Sequence, residues 1–103
     1  ESKDINQDIE AAKAAWEKSK EYILDDIHDV VILDELTYAI SYEWISVEEV
    51  LEALKKRPLM KHIIITGRDC HEKIIDYADL VTEMKLIKHP YKNGIAAQKG
   101  IEF

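Results

Sequence analysis

Glycine and proline are scarce in this chain: 3 and 2 among 103 residues. That leaves no flexible linker and no low-complexity segment, and no internal repeat is visible, so one domain of common size is expected. A single cysteine, Cys70, excludes an internal disulfide and suits a reducing compartment, which points to the cytoplasm. No apolar run reaches the ~18 residues a membrane crossing needs, and there is no signal peptide. Positive charge is in the minority, and a formal net charge of -7 makes a nucleic-acid backbone a poor partner. The chain starts at Glu1 rather than Met, which suggests a piece or a processed form of something longer. What remains is ordinary for a globular protein, 47% hydrophobic and 34% charged.

The most informative stretch is Val30 to Tyr38, Val-Val-Ile-Leu-Asp-Glu-Leu-Thr-Tyr. Val30 to Leu33 show no polar alternation, as in a strand buried on both faces within a parallel sheet. Asp34 and Glu35 then fall at its carboxyl end, where open α/β sheets place their ligands. Such acids can hold Mg²⁺ against nucleotide phosphates. The same run also fits a buried strand that ends in solvated acids, and the stretch alone leaves both readings open.

Before it, Ile5, Ile9, Ala12, Trp16 and Ile23 recur at helical spacing. They predict an amphipathic helix from about Asp4 to Leu24, with Trp16 as a core anchor. Asp25, Asp26, His28 and Asp29 read as a solvated turn rather than a metal site. After the acids a short helix is expected, rich in aromatics, and Tyr38, Tyr42 and Trp44 are candidates to line a pocket for a flat ligand. Packing of the loop onto the sheet is the competing role for each.

Ser46-Val47-Glu48-Glu49 matches a capping box at a second helix start. Val47, Val50, Leu51 and Leu54 supply its stripe, Lys55 to Arg57 suit its C-terminus, and Pro58 ends it. His62 to Thr66 reads as a second buried strand, completing a βαβ unit. Thr66-Gly67-Arg68 follows at its carboxyl end, where glycine lets backbone approach a ligand and Arg68 can reach a phosphate or carboxylate. Cys70 beside His71 lacks a second pair at zinc spacing. A structural role is expected for Cys70 over a catalytic one. Ile74 to Ala78 predict a short helix and Asp79 to Leu86 a third, edge-like strand. The tail from Ile87 to Phe103 is broken by Pro90 and Gly94 and is expected to dock. Lys88 and His89 within it are expected to be exposed.

Taken together these segments resemble one family. Val-Val-Ile-Leu-Asp-Glu-Leu-Thr-Tyr, then Pro58, then Ile-Ile-Ile-Thr-Gly-Arg-Asp-Cys-His, then Ala-Asp-Leu-Val-Thr-Glu-Met, then Lys-His-Pro-Tyr and Lys-Gly-Ile-Glu-Phe are similar, in order and interval, to the carboxyl-terminal half of the ATP:corrinoid adenosyltransferases. These are also called cob(I)alamin or cob(I)yrinic acid a,c-diamide adenosyltransferases. The resemblance runs over essentially all 103 residues.

It implies an α/β, P-loop NTPase-like (RecA-like) fold with a mostly parallel sheet and flanking helices. Residues 1–103 would form the carboxyl-terminal part of one domain, a partial three-layer arrangement. It implies transfer of the 5′-deoxyadenosyl group of ATP to the Co(I) of a reduced corrinoid, with release of triphosphate. Glu35 would be the direct ligand of Mg²⁺, or of Mn²⁺ in its place, with Asp34 direct or through water. Thr66, Gly67 and Arg68 would border the nucleotide or corrinoid pocket, with Tyr38 and Tyr42 as further candidates. A homodimer and an electron-donating reductase are implied as partners.

One departure is plain. Glycine occurs only at Gly67, Gly94 and Gly100, so the chain holds no Gly-x-x-x-x-Gly-Lys-Ser/Thr phosphate loop. These residues alone are therefore not expected to bind ATP tightly or to turn over. Two other readings stay open. One is another P-loop ATPase using Asp34 and Glu35 for hydrolysis. The other is a non-catalytic binding or interaction module.

Overall fold

Alanine and long straight side chains carry helix α1 without interruption over Ser2–Leu24. It opens a computed structural model that describes residues 2–88 and 90. Strand β1 (Val30–Leu33), helix α2 (Leu36–Ser41), helix α3 (Val47–Lys55), strand β2 (His62–Ile65) and helix α4 (Glu72–Tyr77) follow. The two strands pair in parallel, Val30 with His62 through Leu33 with Ile65. This is a small α/β unit, and the expected βαβ connection is present, with α2 and α3 between its strands.

Period two then decides which residues share a face. Val31 and Leu33 are buried in one core with Trp16 and Ile23 of α1, Val50 and Leu54 of α3, and Ile74 of α4. Val30 and Ile32 point the other way and are 50% and 62% exposed, as is Ile64 of β2 at 47%. The expectation of a strand buried on both faces is thus corrected: one face is packed and the opposite face is open. An unbroken apolar run records what a strand can bury, not what lies against it.

The expected strand over Asp79 to Leu86 is also corrected. These residues take no regular structure, and Leu80 and Met84 are almost fully exposed. Alternation makes a strand only where a sheet edge completes its hydrogen bonds, and this segment pairs with neither edge of the described two-stranded sheet. The tail from residue 91 onward, with His89, lies outside the described residues, so its docking is not addressed. Lys88 is exposed, as expected.

Capping explains the helix boundaries. Ser46 Oγ accepts the N–H of Glu49 at 3.2 Å, one half of the expected capping box. The other half is missing because the Glu49 carboxylate is engaged by α1, accepting from Trp16 Nε1 at 3.2 Å. Trp16 is a core anchor, 3% exposed. After Pro58 the chain turns, and Arg57 bonds the carbonyls of Leu54 and Lys61 at 2.7 and 3.1 Å. Its charge serves the end of α3, as the sequence suggests.

Candidate functional site

Parallel pairing brings the carboxyl ends of β1 and β2 side by side, and with them Asp34, Glu35 and Thr66. The Thr66 N–H donates to Leu33 O at 3.3 Å, extending the ladder by one step. Its hydroxyl donates to Asp34 Oδ1 at 2.8 Å and accepts the Glu35 N–H at 3.0 Å. A hydroxyl has one proton, and here it is spent on Asp34. Thr66 therefore knits the two acids to β2 rather than offering a donor to a ligand.

Glu35 is held in the left-handed region, φ 58 and ψ 24, as the N-terminal cap of α2. An acid there is strained, and such strain persists only where neighbours enforce it. The enforcing contacts are the Thr66 hydroxyl on its N–H and the Tyr38 N–H, which donates to its carbonyl at 3.1 Å. The Glu35 carboxylate accepts no hydrogen bond and makes no ion pair among the described residues. One carboxylate oriented by a hydroxyl and one unengaged form a hard oxygen donor set, which suits Mg²⁺ bound through one or two carboxylates with phosphate and water completing its shell. No group of three or more ligating side chains exists among the described residues, so that completion is required.

Gly67 lies against this turn with φ 139. A Cβ there would overlap the hydroxyl of Thr37 and stand 3.5 Å from Glu35 Cα. Glycine is thus demanded both by backbone angle and by close approach. The approach is to Thr37, which sequence reasoning missed. Arg68, next to Gly67 on this turn, is exposed and bonds to no described residue, and it does not line the cavity beside the acids.

A cavity of about 290 Å³ opens between α1 and the end of β1. Trp16 and Ser19 line it from α1, with Ile32, Glu35, Tyr38 and Trp44 opposite. Tyr38 thus joins the acids, whereas Tyr42 does not line the cavity. The three aromatics nevertheless form one cluster. Tyr38 and Tyr42 centroids are 4.6 Å apart, and Tyr42 stacks on Trp44 at 5.5 Å and 30°. The cause is the end of α2: Glu43 takes φ 59, its N–H reaches Ile40 O at 2.9 Å and the Trp44 N–H reaches Ala39 O at 3.0 Å. That paired closure folds Trp44 back over the helix. The adjacent Tyr42 phenol, with Asp8 and Glu35 adding to it, holds the Tyr38 hydroxyl above its usual range.

The remaining candidates are structural. Burial pushes the half-buried Cys70 thiol up, away from a reactive thiolate. His71 Nδ1 accepts the Lys73 N–H at 3.0 Å and caps α4. His28 lies 2.6 Å from Asp25 in the turn after α1, with no metal cluster among the described residues. Sequence reasoning also passed over Lys61, which is buried beneath that turn.

Acids at the carboxyl end of one strand, with a threonine-glycine turn ending its parallel neighbour, stand at the edge where open α/β proteins ordinarily bind ligands. The ATP:corrinoid adenosyltransferase BtuR/CobO/CobP family profile matches residues 1–103. The chain is 49% identical to a corrinoid adenosyltransferase of Sinorhizobium sp, an alignment covering 100% of this chain and 49% of that protein. It is 42% identical to the corrinoid adenosyltransferase CobA of Salmonella typhimurium, over 100% of this chain and 53% of that protein. Against the corrinoid adenosyltransferase of Escherichia coli K12 the figures are 42%, 93% and 49%. The chain belongs to the ATP:corrinoid adenosyltransferase family, and it spans about half the length of the curated relatives it matches.

Proposed function

We infer that residues 1–103 form the carboxyl-terminal part of a single P-loop NTPase-like (RecA-like) domain. Its reaction is transfer of the 5′-deoxyadenosyl group of ATP to the Co(I) of a reduced corrinoid, in adenosylcobalamin biosynthesis or salvage. The observation that carries this is the Asp34–Thr66–Glu35 cluster at the strand ends of a chain that matches the family throughout.

Co(I) is strongly nucleophilic, so no general base is needed. A cobalt–carbon bond forms at C5′, the C5′–O bond breaks, and triphosphate leaves with its electron pair. The protein's tasks are to align C5′ with cobalt and to stabilise the leaving charge. A bound Mg²⁺, or Mn²⁺ in its place, supplies positive charge to the phosphates. Glu35 is the direct cation ligand because its carboxylate is unengaged. Asp34, already bonded to Thr66, is the orienting acid and acts directly or through water. Gly67 and Arg68 border the nucleotide or corrinoid, Arg68 as an exposed cation on the turn after β2. Tyr38 and Trp44 offer the corrinoid an apolar wall, backed by Tyr42, which favours loss of an axial ligand and so eases formation of Co(I). The working protein is a cytoplasmic homodimer served by an electron-donating reductase.

The test is Glu35→Gln in the full-length protein. Mg²⁺-dependent ATP affinity is expected to fall by roughly tenfold or more, with triphosphate as the product of residual turnover. Unchanged affinity would remove the acid from the site. Phosphate in place of triphosphate would mark a hydrolase instead. The 103 residues by themselves are expected to show no turnover, since they carry no glycine-rich phosphate loop.

A further inference from the structure

Thr37 is 2% exposed, and its hydroxyl is the buried side-chain polar atom without a hydrogen-bond partner among the described residues. Burying an unpaired hydroxyl costs stability, and valine would fill the same space without that cost. The position also meets the turn after β2 at close range. Gly67 presses its bare Cα toward Thr37, so that an added Cβ would overlap Oγ1 and stand 3.0 Å from the Thr37 Cβ. A β-branched side chain in a helix has few χ1 rotamers, two for threonine, and the packing that leaves Thr37 2% exposed leaves it little room to exchange them. It meets the turn after β2 as a fixed stop.

We propose that Thr37 and Gly67 form a spacer that sets the distance between the strand-end acids and the Thr66–Arg68 turn, making Thr37 a positioning residue of the cation site. The proposal rests on the reading of Asp34 and Glu35 as cation-binding acids. Gly67 is bonded to Thr66, and the Thr66 hydroxyl touches both acids. Any displacement of the turn by a clash at residue 67 therefore pulls that hydroxyl from Asp34 and from the Glu35 N–H together. Glu35, strained at φ 58, then has one less contact holding it. The shape of Thr37 matters in this arrangement, and its polarity does not.

The experiment measures Mn²⁺ affinity in the presence of ATP, from the electron paramagnetic resonance of free Mn²⁺, with the melting temperature recorded for each variant of the full-length protein. Gly67→Ala is expected to weaken Mn²⁺ binding by roughly tenfold or more. Alanine at φ 139 is strained in any surroundings, so the decisive variant is Gly67→Ala with Thr37→Ala. Relief of the overlap should return part of the affinity lost, beyond any change that Thr37→Ala causes alone, a coupling that independent effects do not give. Thr37→Val, which keeps the shape, should bind Mn²⁺ within about twofold of the parent. A double variant no better than Gly67→Ala, or a Thr37→Val as weak as Gly67→Ala, overturns the spacer. If Glu35→Gln binds Mn²⁺ as the parent does, the cation reading fails and the proposal falls with it. If Glu35→Gln loses binding while Gly67→Ala keeps it, the cation reading stands and the spacer alone is overturned.

Discussion

Lys61 Nζ lies 2.7 Å from Asp25 Oδ1, joining the start of β2 to the turn that ends α1. The same ammonium donates to Asp25 O at 2.6 Å and to Tyr22 O. A lysine ammonium has three donors, and here each has an acceptor. The last carbonyls of a helix lack partners inside it, so Lys61 caps the Tyr22 carbonyl of α1 from 39 residues away.

Lys61→Met keeps the apolar stem and removes all three donors. The Tyr22 and Asp25 carbonyls then lose the ammonium, and the Asp25 carboxylate keeps only Ile27 and His28, in a site where Lys61 itself is 6% exposed. A fall in melting temperature of more than about 5 °C is expected. Circular dichroism on heating checks it, and an unchanged midpoint would mean that packing alone fixes α1.

Asp25 gives a pH dependence of known sign. The Lys61 ammonium, then the His28 N–H, hold its carboxyl well below the usual carboxylate range. The unfolded state therefore binds the proton at higher pH than the folded state does. This contribution to stability is complete above the ordinary Asp value of about 4 and is lost progressively as pH falls below it. Urea denaturation at successive pH values should show Asp25→Asn flattening that acid limb. An identical acid slope in the variant would assign the effect to other carboxylates, such as Glu48 and Glu52, which Lys73 and Lys56 also lower.

The two tyrosines should separate. Tyr38 lines the cavity beside Glu35, whereas Tyr42 touches it only through the ring cluster. If the corrinoid enters there, Tyr38→Ala should raise its Kd about fivefold, the loss of one aromatic contact, with Tyr42→Ala smaller. Titration of corrinoid absorbance in the full-length protein measures both. The reverse order would put the corrinoid on the outer side of the cluster.

Much of this was readable in the sequence because it is local. The helical spacing of α1, the start of α3 at Ser46 and its stop at Pro58, and apolar runs ending in Asp-Glu and Thr-Gly all carry their cause within a few residues. Features that need a distant partner were not readable. Nothing near Lys61 marks it as the cap of α1, and nothing near Glu49 says that Trp16 will take its carboxylate from the capping box. Thr37 becomes informative only when Gly67 arrives against it. The segment from Asp79 to Leu86 has strand alternation yet pairs with neither free edge of the two-stranded sheet, and the alternation cannot report that.

The open face of the sheet leads to the last expectation. Register puts Val30 and Ile32 on the same face as Ile64, and all three are half exposed or nearly so. Parallel strands are ordinarily covered on both faces, and an apolar patch of this kind invites association. The relatives are about twice as long as this chain, which supplies enough polypeptide for a covering layer. Studied alone, the 103 residues should therefore self-associate as concentration rises. Ile32→Lys with Ile64→Lys should abolish that association while changing the melting temperature of the isolated chain by only about 2 °C, because neither side chain is buried in it. In the full-length protein the same pair should be strongly destabilising, since a covering layer would bury two charges without partners. Sedimentation of both forms decides the matter. A monomeric parent chain at high concentration, or a full-length protein indifferent to both lysines, would mean that this face is left in water and that the remaining half of such proteins packs elsewhere.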